Sequence, residues 1–327
     1  MNLLILSAGT RNKVVQYFKK ELGGNGKVIA TDCSNLAPAI YEADKFYIVP
    51  RITEPGYLDT LLDICKKENI TGVFSLIDPE LSLLAKEREK FIEVGTTPII
   101  SPYDLVEICF DKYKMYELLC EMHIPTGRCY MDKDAFHQAR AKGEISYPVF
   151  VKPVKGSASL HINKVYGAEE LDVLFDLYDD LMIQEFMDGT EYGADVYIDM
   201  LTGKCTSIFV KEKIKMRAGE TDKAVSYKDE ELFTLIEKFV EKCGFCGMID
   251  MDIFRIGDVY YISEVNPRFG GGYPHAHECG VNMPEQVIRN LSGESNPYAV
   301  GNYRPGICMM KYNEVMIKNL NDTEMGA

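Results

Sequence analysis

The chain has 327 residues, 46% of them hydrophobic and 26% charged, which is typical of a folded protein with more than one hydrophobic core. Its formal net charge of −14 argues against general binding to nucleic-acid phosphates, because such binding requires a basic surface. The cysteines lack the second Cys-x-x-Cys pair of a zinc ribbon, and no apolar run approaches the roughly 20 residues that cross a bilayer, so we expect reduced thiols, no membrane span and a cytoplasmic location.

The N-terminal part of the chain alternates strand and helix patterns. Apolar runs at 3–6, 28–30 and 72–77 predict buried strands, and helical spacing follows around Val14 and over 57–69. A further helix is predicted to begin at Asp78-Pro79, with Asp78 as its N-cap. This alternation predicts a small parallel sheet. Only Gly9 of a dinucleotide fingerprint is present in the first turn, which leaves a nicotinamide-dependent oxidoreductase as a poorly supported alternative.

The pattern changes near residue 102. Two short helices are predicted at 103–110 and 112–122, and β patterns at 148–152 and 182–186 flank a helix at 168–178. Long strands at 191–200 and 205–214, a helix at 232–243 and a C-terminal hairpin follow. The predicted fold class is therefore an α/β domain with a small parallel sheet followed by an α+β domain.

The C-terminal hairpin carries the most informative motif. Glu264-Val265-Asn266-Pro267-Arg268 closes its second strand, and Asp252 lies on the first. Two carboxylates and an amide oxygen are hard ligands that suit Mg²⁺. A two-residue turn at 257–258 would leave Asp252 and Glu264 on opposite faces, whereas a three-residue loop or a bulge would pair them and would set Asp250 opposite Asn266. The alternative is a solvated hairpin whose acids face water.

Three other segments carry groups suited to a nucleotide. Lys152 ends a strand before the small-residue turn 153–159, which predicts either a phosphate loop or an ordinary turn. In the segment 185–191, a carboxylate and backbone amides beside an aromatic ring could bind a purine, and a second acid could bind its ribose. The alternative is a charged loop. Four cations alternate along one predicted strand, where they would face an anion or solvent: Lys211, Lys213, Lys215 and Arg217.

His275, His277 and Cys279 are metal ligands by residue type. They follow the glycine-rich stretch 268–274, which predicts a flexible loop. We expect this loop to line a substrate pocket rather than to bind zinc.

Taken in order, these motifs resemble the ATP-grasp superfamily, nearest to the carbamoyl-phosphate-synthetase-like ligases with a single ATP-grasp unit. The resemblance covers nearly the whole chain. It includes the segment 75–81, Asp111-Lys112 and Val151-Lys152-Pro153, and its most specific element is Asp252 with 264–271. It implies a Rossmann-like pre-ATP-grasp domain over 1–102. An ATP-grasp subdomain with the phosphate loop would span 103–187, and a second subdomain with the metal and substrate site would span 188–327.

The resemblance also implies residue roles. The residues implied in ATP binding are Lys112, Lys152 and Ser157 at the phosphates, Glu185, Phe186 and Met187 at the adenine, and Glu191 at the ribose. The implied Mg²⁺ ligands are Asp252, Glu264 and Asn266, and the implied catalytic residues are Arg217 and Arg268. Ala158 and His161 stand where the family often has glycine, which predicts altered closure of the phosphate loop.

The expected function is a carboxylate–amine ligase that uses ATP and Mg²⁺, forms an acyl phosphate, and releases ADP and phosphate. Its expected partners are a small carboxylic acid and an amine, with no nucleic acid or membrane, and a homo-oligomer is left open. The single ATP-grasp unit argues against complete carbamoyl-phosphate synthesis. The alternative is a non-catalytic nucleotide-binding or assembly protein that keeps the fold.

Overall fold

The computed structural model describes residues 1–156 and 162–319. Its N-terminal part is built around a parallel sheet with the strand order β3-β2-β1-β4-β5. Its elements are β1 (Asn2–Leu6), α1 (Asn12–Leu22), β2 (Lys27–Asp32), a 3₁₀ helix (Pro38–Glu42), β3 (Lys45–Ile48), α2 (Tyr57–Glu68), β4 (Ile70–Ser75), α3 (Asp78–Lys86), α4 (Arg88–Glu93) and β5 (Thr97–Pro98). Leu3 and Ile5 pack into one hydrophobic core and Leu4 and Leu6 into another, so both faces of β1 are buried.

The middle of the chain forms a four-stranded antiparallel sheet with the order β6-β9-β7-β8. Its elements are α5 (Tyr103–Phe110), α6 (Lys112–Glu121), β6 (Cys129–Tyr130), α7 (Lys133–Ala141), β7 (Val149–Pro153), β8 (Asn163–Val165), α8 (Ala168–Leu177) and β9 (Leu181–Glu185). The carboxylate of Asp111 caps α6 by accepting hydrogen bonds from the backbone N–H groups of Tyr113 and Lys114. This cap fixes Lys112 at the first position of the helix.

The C-terminal part contains a six-stranded sheet with the order β14-β13-β10-β11-β12-β15. Its elements are β10 (Thr190–Ile198), β11 (Cys205–Arg217), β12 (Glu220–Tyr227), α9 (Glu230–Cys243), β13 (Gly247–Ile256), β14 (Val259–Asn266), α10 (Tyr273–Glu278), α11 (Met283–Leu291) and β15 (Cys308–Met310). The apolar stripe of α9 is buried in the core under this sheet through Leu232, Ile236 and Phe239.

An aromatic cluster joins the N-terminal and C-terminal parts. The ring of Phe18 lies 4.9 Å from that of Phe74 and 5.8 Å from that of Phe269. Phe74 and Phe269 are 5.7 Å apart. Because Phe269 follows Arg268 directly, this packing fixes where the end of β14 meets the edge of the parallel sheet.

The predicted fold class is confirmed, since a parallel α/β sheet precedes two antiparallel sheets with helices. The sequence analysis missed the helices α4, α7 and α11, the strands β3 and β12, and the short edge strands. The domain limits 1–102, 103–187 and 188–327 stay a prediction. Over the described part of the chain, no helix is long and apolar enough to cross a membrane.

The prediction of a flexible loop before His275 is wrong in part. Residues 273–278 form α10, and the buried His275 donates from Nε2 to the carbonyl oxygen of Ile307 at 2.9 Å. Its ring packs 4.9 Å from that of Phe209. Burial, assisted by nearby Lys211, lowers the pKa of His275 from 6.5 to about 4.

This pKa predicts a specific loss of stability in acid. The unfolded chain takes up a proton at His275 below pH 6.5 and the folded chain resists it, so stability is lost as the pH falls from 6.5 towards about 4. At pH 5 the loss from this group should be about 2 kcal/mol. Urea unfolding of His275→Gln at pH 7.5 and pH 5 should lack that component. His123→Gln, at an exposed site, should behave as wild type. Equal pH dependence in all three proteins would contradict the assignment.

Candidate functional site

The sheets meet at a cleft of about 640 Å³. Most of the predicted site residues line it: Lys112, Lys152, Glu185, Met187, Glu191, Asp252, Glu264, Asn266 and Arg268. Phe186 and Arg217 are not among the lining residues. Ser157, Ala158 and His161 lie outside the described residues, so their predicted roles in the phosphate loop stay predictions.

The β13–β14 hairpin brings the predicted metal ligands together through a bulge. Its turn has two residues, since Ile256 pairs with Val259. The register then shifts between Asp252 and Ile253, which leaves Ser263 as the extra residue, and Asp252 pairs with Glu264. Asp250 pairs with Asn266, and the amide of Asn266 donates to Oε1 of Glu264 at 3.3 Å. The bulge thus supplies the pairing that the metal hypothesis requires.

A buried lysine neutralises one side of this acidic group. The Lys213 ammonium lies 2.5 Å from a carboxylate oxygen of Asp252 and 2.8 Å from one of Glu191. Its side chain is only 5% exposed, yet these carboxylates, together with Asp250, hold its pKa above the ordinary value despite burial. Burial raises the pKa of Asp252, although Lys213 opposes the shift. Sequence analysis missed this bridging role and expected only a row of cations.

Two further lysines, Lys112 and Lys152, line the same cleft. Lys152 stands on β7 and is buried, and burial lowers its pKa although Glu264 opposes the shift. The Lys112 ammonium donates to the carbonyl oxygen of Gly156 at 2.5 Å. Burial alone would raise the pKa of Glu264, but Lys112 and Lys152 hold it below its ordinary value. Glu264 is therefore a carboxylate that two cations keep ionised.

The expected capping role of Asp78 is wrong. Asp78 is the first residue of α3 rather than its cap, and its carboxylate accepts from Nε of Arg268 at 2.6 Å and from Nη2 at 3.3 Å. Asp250 lies 3.7 Å from the same guanidinium. These carboxylates raise the pKa of Arg268 against the effect of burial. The two carboxylates fix Arg268 between α3 and the β13–β14 hairpin.

Only some residues of the segment 185–191 line the cleft: Glu185, Met187 and Glu191 do, and Phe186 does not. Glu185 pairs with Arg128 through the backbone, and its Oε2 accepts from the backbone N–H of Arg128 at 3.0 Å. Met187 is buried, and Gly127 leaves room for its sulfur. The ring of Phe186 instead contacts the ammonium of Lys164 at 3.4 Å from the ring centre. Phe186 therefore supports the wall of the cleft without lining it.

The four cations predicted to alternate along one strand face do not share one environment. Lys211 is buried against Asp195, whereas Lys215 and Arg217 are exposed. The β11–β12 register shifts on both sides of Lys215, so the alternation of faces is broken there. The Arg217 guanidinium lies 3.0 Å from Asp222 and 3.5 Å from Asn313. The structure does not bring Arg217 together with Arg268.

The donor set suits a cation that takes further ligands from a bound phosphate. In residues 1–156 and 162–319, no three His, Cys, Asp or Glu side chains are grouped as a complete metal site. The paired carboxylates of Asp252 and Glu264, with Asn266 beside them, supply only part of an octahedral shell. Mg²⁺ characteristically binds proteins through one or two carboxylates, with phosphates and water completing its coordination.

Comparisons with known proteins agree with this geometry. A model of the ATP-grasp domain matches residues 109–272, and a model of the PylC-like N-terminal domain matches residues 3–99. The chain therefore belongs to the ATP-grasp family. The predicted family is confirmed, and at the level of this family the predicted enzyme class and the predicted use of ATP and Mg²⁺ are borne out as well.

Individual relatives are distant. The chain is 26% identical over 306 residues to the arginine-specific carbamoyl phosphate synthase large chain of Geobacillus stearothermophilus, and it spans 28% of that protein's length. It is 23% identical to a formate-dependent phosphoribosylglycinamide formyltransferase of a Synechococcus species, covering 89% of this chain and 73% of the relative. The biotin carboxylase domain of Hydrogenobacter thermophilus 2-oxoglutarate carboxylase, solved with MgADP, aligns with a TM-score of 0.73 at 18% identity. That alignment covers 94% of this chain and 73% of the other.

A substitution at Asp78 distinguishes its ion pair with Arg268 from a helix-capping role. Asn caps a helix about as well as Asp, so Asp78→Asn should be nearly neutral if capping were its role. If it instead neutralises a buried guanidinium, the substitution should cost about 3 kcal/mol of unfolding free energy. Urea denaturation at pH 7.5 measures the difference. A second substitution, Arg268→Met, should restore part of the loss. A cost below about 0.5 kcal/mol would contradict the pairing.

Proposed function

We propose that the protein is a ligase that joins a small carboxylic acid to an amine at the cost of one ATP, with Mg²⁺ as cofactor. The observation that carries this proposal is that the paired residues Asp252 and Glu264 share one cleft with Lys112 and Lys152, whose charges act on Glu264. A cleft of this charge pattern accommodates a metal on one wall and phosphates between the walls. The acid and amine substrates are part of the proposal.

The nucleotide occupies the end of the cleft that is lined by segment 185–191. Lys112 and Lys152 bind its phosphates, and Glu185 with the backbone at Met187 binds the adenine. Glu191 binds the ribose, for which it exchanges its contact with Lys213. Asp252, Glu264 and Asn266 would hold Mg²⁺, which when bound would supply charge neutralisation at the phosphates.

The reaction follows from the poor reactivity of a carboxylate. Its negative charge repels nucleophiles, so it must first acquire a leaving group. The carboxylate oxygen attacks the γ-phosphorus of ATP, the bond to the β-phosphate oxygen breaks, and ADP leaves. The amine nitrogen then attacks the acyl carbon, the C–O bond to phosphate breaks, and the amine loses a proton. Arg268, fixed by Asp78, orients the acyl group.

No side-chain nucleophile takes part in this scheme. Catalysis depends on positioning and on charge neutralisation by groups that are in place before the substrates bind. A closed cleft also keeps water from the acyl phosphate. A non-catalytic nucleotide-binding protein would bind ATP but would release no ADP with any acid and amine, so an ADP-release assay with pooled acids and amines separates the two functions.

Replacement of Glu264 tests the metal site. Glu264→Gln should lower the affinity for Mn²⁺ in the presence of ADP by about 10- to 100-fold, because one anionic ligand is lost. It should reduce ADP release at least as strongly while the circular dichroism spectrum stays unchanged. Electron paramagnetic resonance of free Mn²⁺ gives the affinity without a known substrate. Glu231→Gln, at an exposed helix position, is the control. Wild-type Mn²⁺ affinity in Glu264→Gln would refute the metal role.

Replacement of Lys152 tests the phosphate site. Lys152→Ala should weaken ATP binding by about 10- to 100-fold, the effect of losing a hydrogen bond to a charged group. Isothermal titration calorimetry with a non-hydrolysable ATP analogue and Mg²⁺ measures it. Lys142→Ala removes an exposed cation at the C-terminal end of α7 and should bind as wild type. Equal affinity in both variants would count against the assignment of Lys152.

A further inference from the structure

Glu80 is a buried carboxyl group that has no part in the proposed reaction scheme. It lies in the first turn of α3, and its exposed fraction is 0%. Residues 76–78, which come shortly before it in the chain, line the cleft. Glu80 therefore lies behind the part of the cleft wall that carries Asp78, the partner of Arg268.

The hydrogen-bond partners of Glu80 are hydroxyl groups from three other parts of the N-terminal fold. Tyr57, the first residue of α2, donates to Oε1 of Glu80, and the hydroxyl of Ser75 at the end of β4 contacts Oε2. Ser7, which follows β1, contributes a third side-chain hydrogen bond. Ser7 has a left-handed backbone φ of 48°, which residues other than glycine seldom adopt, so this bond supports an unfavourable turn. Glu80 thus ties α3 to the carboxyl ends of two strands and to the start of α2.

The number of available hydrogens places a proton on Glu80. Oγ of Ser75 accepts from the backbone N–H of Ile77 at 3.2 Å and lies 3.4 Å from the Ile77 carbonyl oxygen. A hydroxyl group has a single hydrogen, so Ser75 cannot donate to this carbonyl and to Glu80 at the same time. A Glu80 protonated at Oε2 donates to Ser75, and the serine hydrogen is then free for the Ile77 carbonyl. The protonated acid therefore satisfies every contact in this group.

The charges around Glu80 favour the same protonation state. Asp32 at the end of β2 adds a like charge, and two backbone N–H groups hold its carboxylate in place. Tyr57 is the titratable group that α2 brings to the site, and Ser7 and Ser75 bring neutral hydroxyls. Burial, assisted by Asp32, raises the pKa of Glu80 from 4.5 to about 8, although the bond from Ser7 opposes the shift.

The position of Glu80 determines the position of Asp78. Pro79 alone separates them, and its ring fixes the backbone φ, so a displacement of Glu80 also moves Asp78. Asp78 holds Arg268 through two hydrogen bonds of 2.6 and 3.3 Å, and such a paired contact depends on its geometry. An ionised Glu80 would be a buried charge whose partners are neutral hydroxyls, which favours water entry and movement of this turn.

We propose that Glu80 carries a proton in the folded protein and is a positioning residue that holds Asp78, and through it Arg268, in place. The consequence for catalysis rests on the proposed function, in which Arg268 orients the acyl group. Loss of the Glu80 proton releases the guanidinium and slows ligation. Nucleotide binding, which uses other residues of the cleft, is unaffected.

Infrared spectroscopy tests for the proton. At pH 7 the wild-type protein should show the carbonyl stretch of a protonated carboxylic acid that is missing from the spectrum of Glu80→Gln. The band should disappear as the pH is raised through about 8. Glu89→Gln, at an exposed site on α4, is the control and should keep the band. Identical acid bands in wild type and Glu80→Gln at pH 7 would overturn the proposal.

The Nε–H signal of Arg268 in ¹H–¹⁵N NMR spectra tests the positioning without any substrate, and its absence from Arg268→Lys identifies it. Glu80→Gln keeps a donor and an acceptor at the site, so its Arg268 signal should match that of wild type at pH 7. Glu80→Met is of similar length but has neither group, so the signal should shift, as it should in Asp78→Asn. An unshifted signal in folded Glu80→Met would refute the positioning role.

A pH titration gives the same test in the unaltered protein. The wild-type Arg268 signal should shift as the pH rises through about 8, because Glu80 then loses its proton, and the signal of Glu80→Gln should not shift in this range. The same pH dependence in both proteins would contradict the proposal.

The ADP-release assay distinguishes this inference from the proposed function. Between pH 7 and pH 9, the ratio of the wild-type rate to the Glu80→Gln rate should fall about tenfold, because only about a tenth of Glu80 stays protonated one unit above its pKa. Titration of the substrates cancels in this ratio. If ADP is released but the ratio stays constant, the ligase function stands and the role of Glu80 falls. If no acid supports ADP release but the Arg268 signal follows the Glu80 proton, the positioning role stands and the ligase function falls.

Discussion

The pairing of Asp252 with Glu264 across one β-bulge is the constraint on which the rest of the site depends. The two-residue turn alone would send these side chains to opposite faces, and the extra residue Ser263 corrects the register. Lys152 of β7, Lys112 of α6 and Asp78 of α3 line the same cleft as this pair. One local irregularity therefore turns an ordinary antiparallel hairpin into a surface that carries the carboxylates of Asp250, Asp252 and Glu264 and the amide of Asn266 on one side.

Charge compensation explains how this surface accommodates several carboxylates close together. Carboxylates placed close together in a partly buried site repel one another and favour protonation. Here Lys213 bridges Asp252 and Glu191, and Lys112 and Lys152 hold Glu264 in its ionised form. The carboxylates therefore offer negative charge to a cation, and the lysines offer positive charge to an anion. A metal–nucleotide complex brings both charges at once, so its binding exchanges these pairs rather than creating unpaired charges.

The sequence predicted local features well and long-range partners poorly. The helices at 103–110 and 168–178 were predicted to within a residue, because their apolar spacing is clear. The edge strands β5, β6 and β15 have only two or three residues, too few for a pattern. Asp78 was misassigned because its partner Arg268 lies 190 residues away in sequence. Arg217 was grouped with Lys213 because a strict alternation was assumed, and the register shifts near Lys215 break it.

The metal position tests the account most directly. A crystal grown with ADP and Mn²⁺ gives an anomalous signal that locates the ion without any assumption about the fold. The account predicts a peak between the carboxylates of Asp252 and Glu264, with the nucleotide phosphates directed towards Lys152. A peak elsewhere in the molecule, with Asp252 and Glu264 still bound only to protein groups, would contradict it.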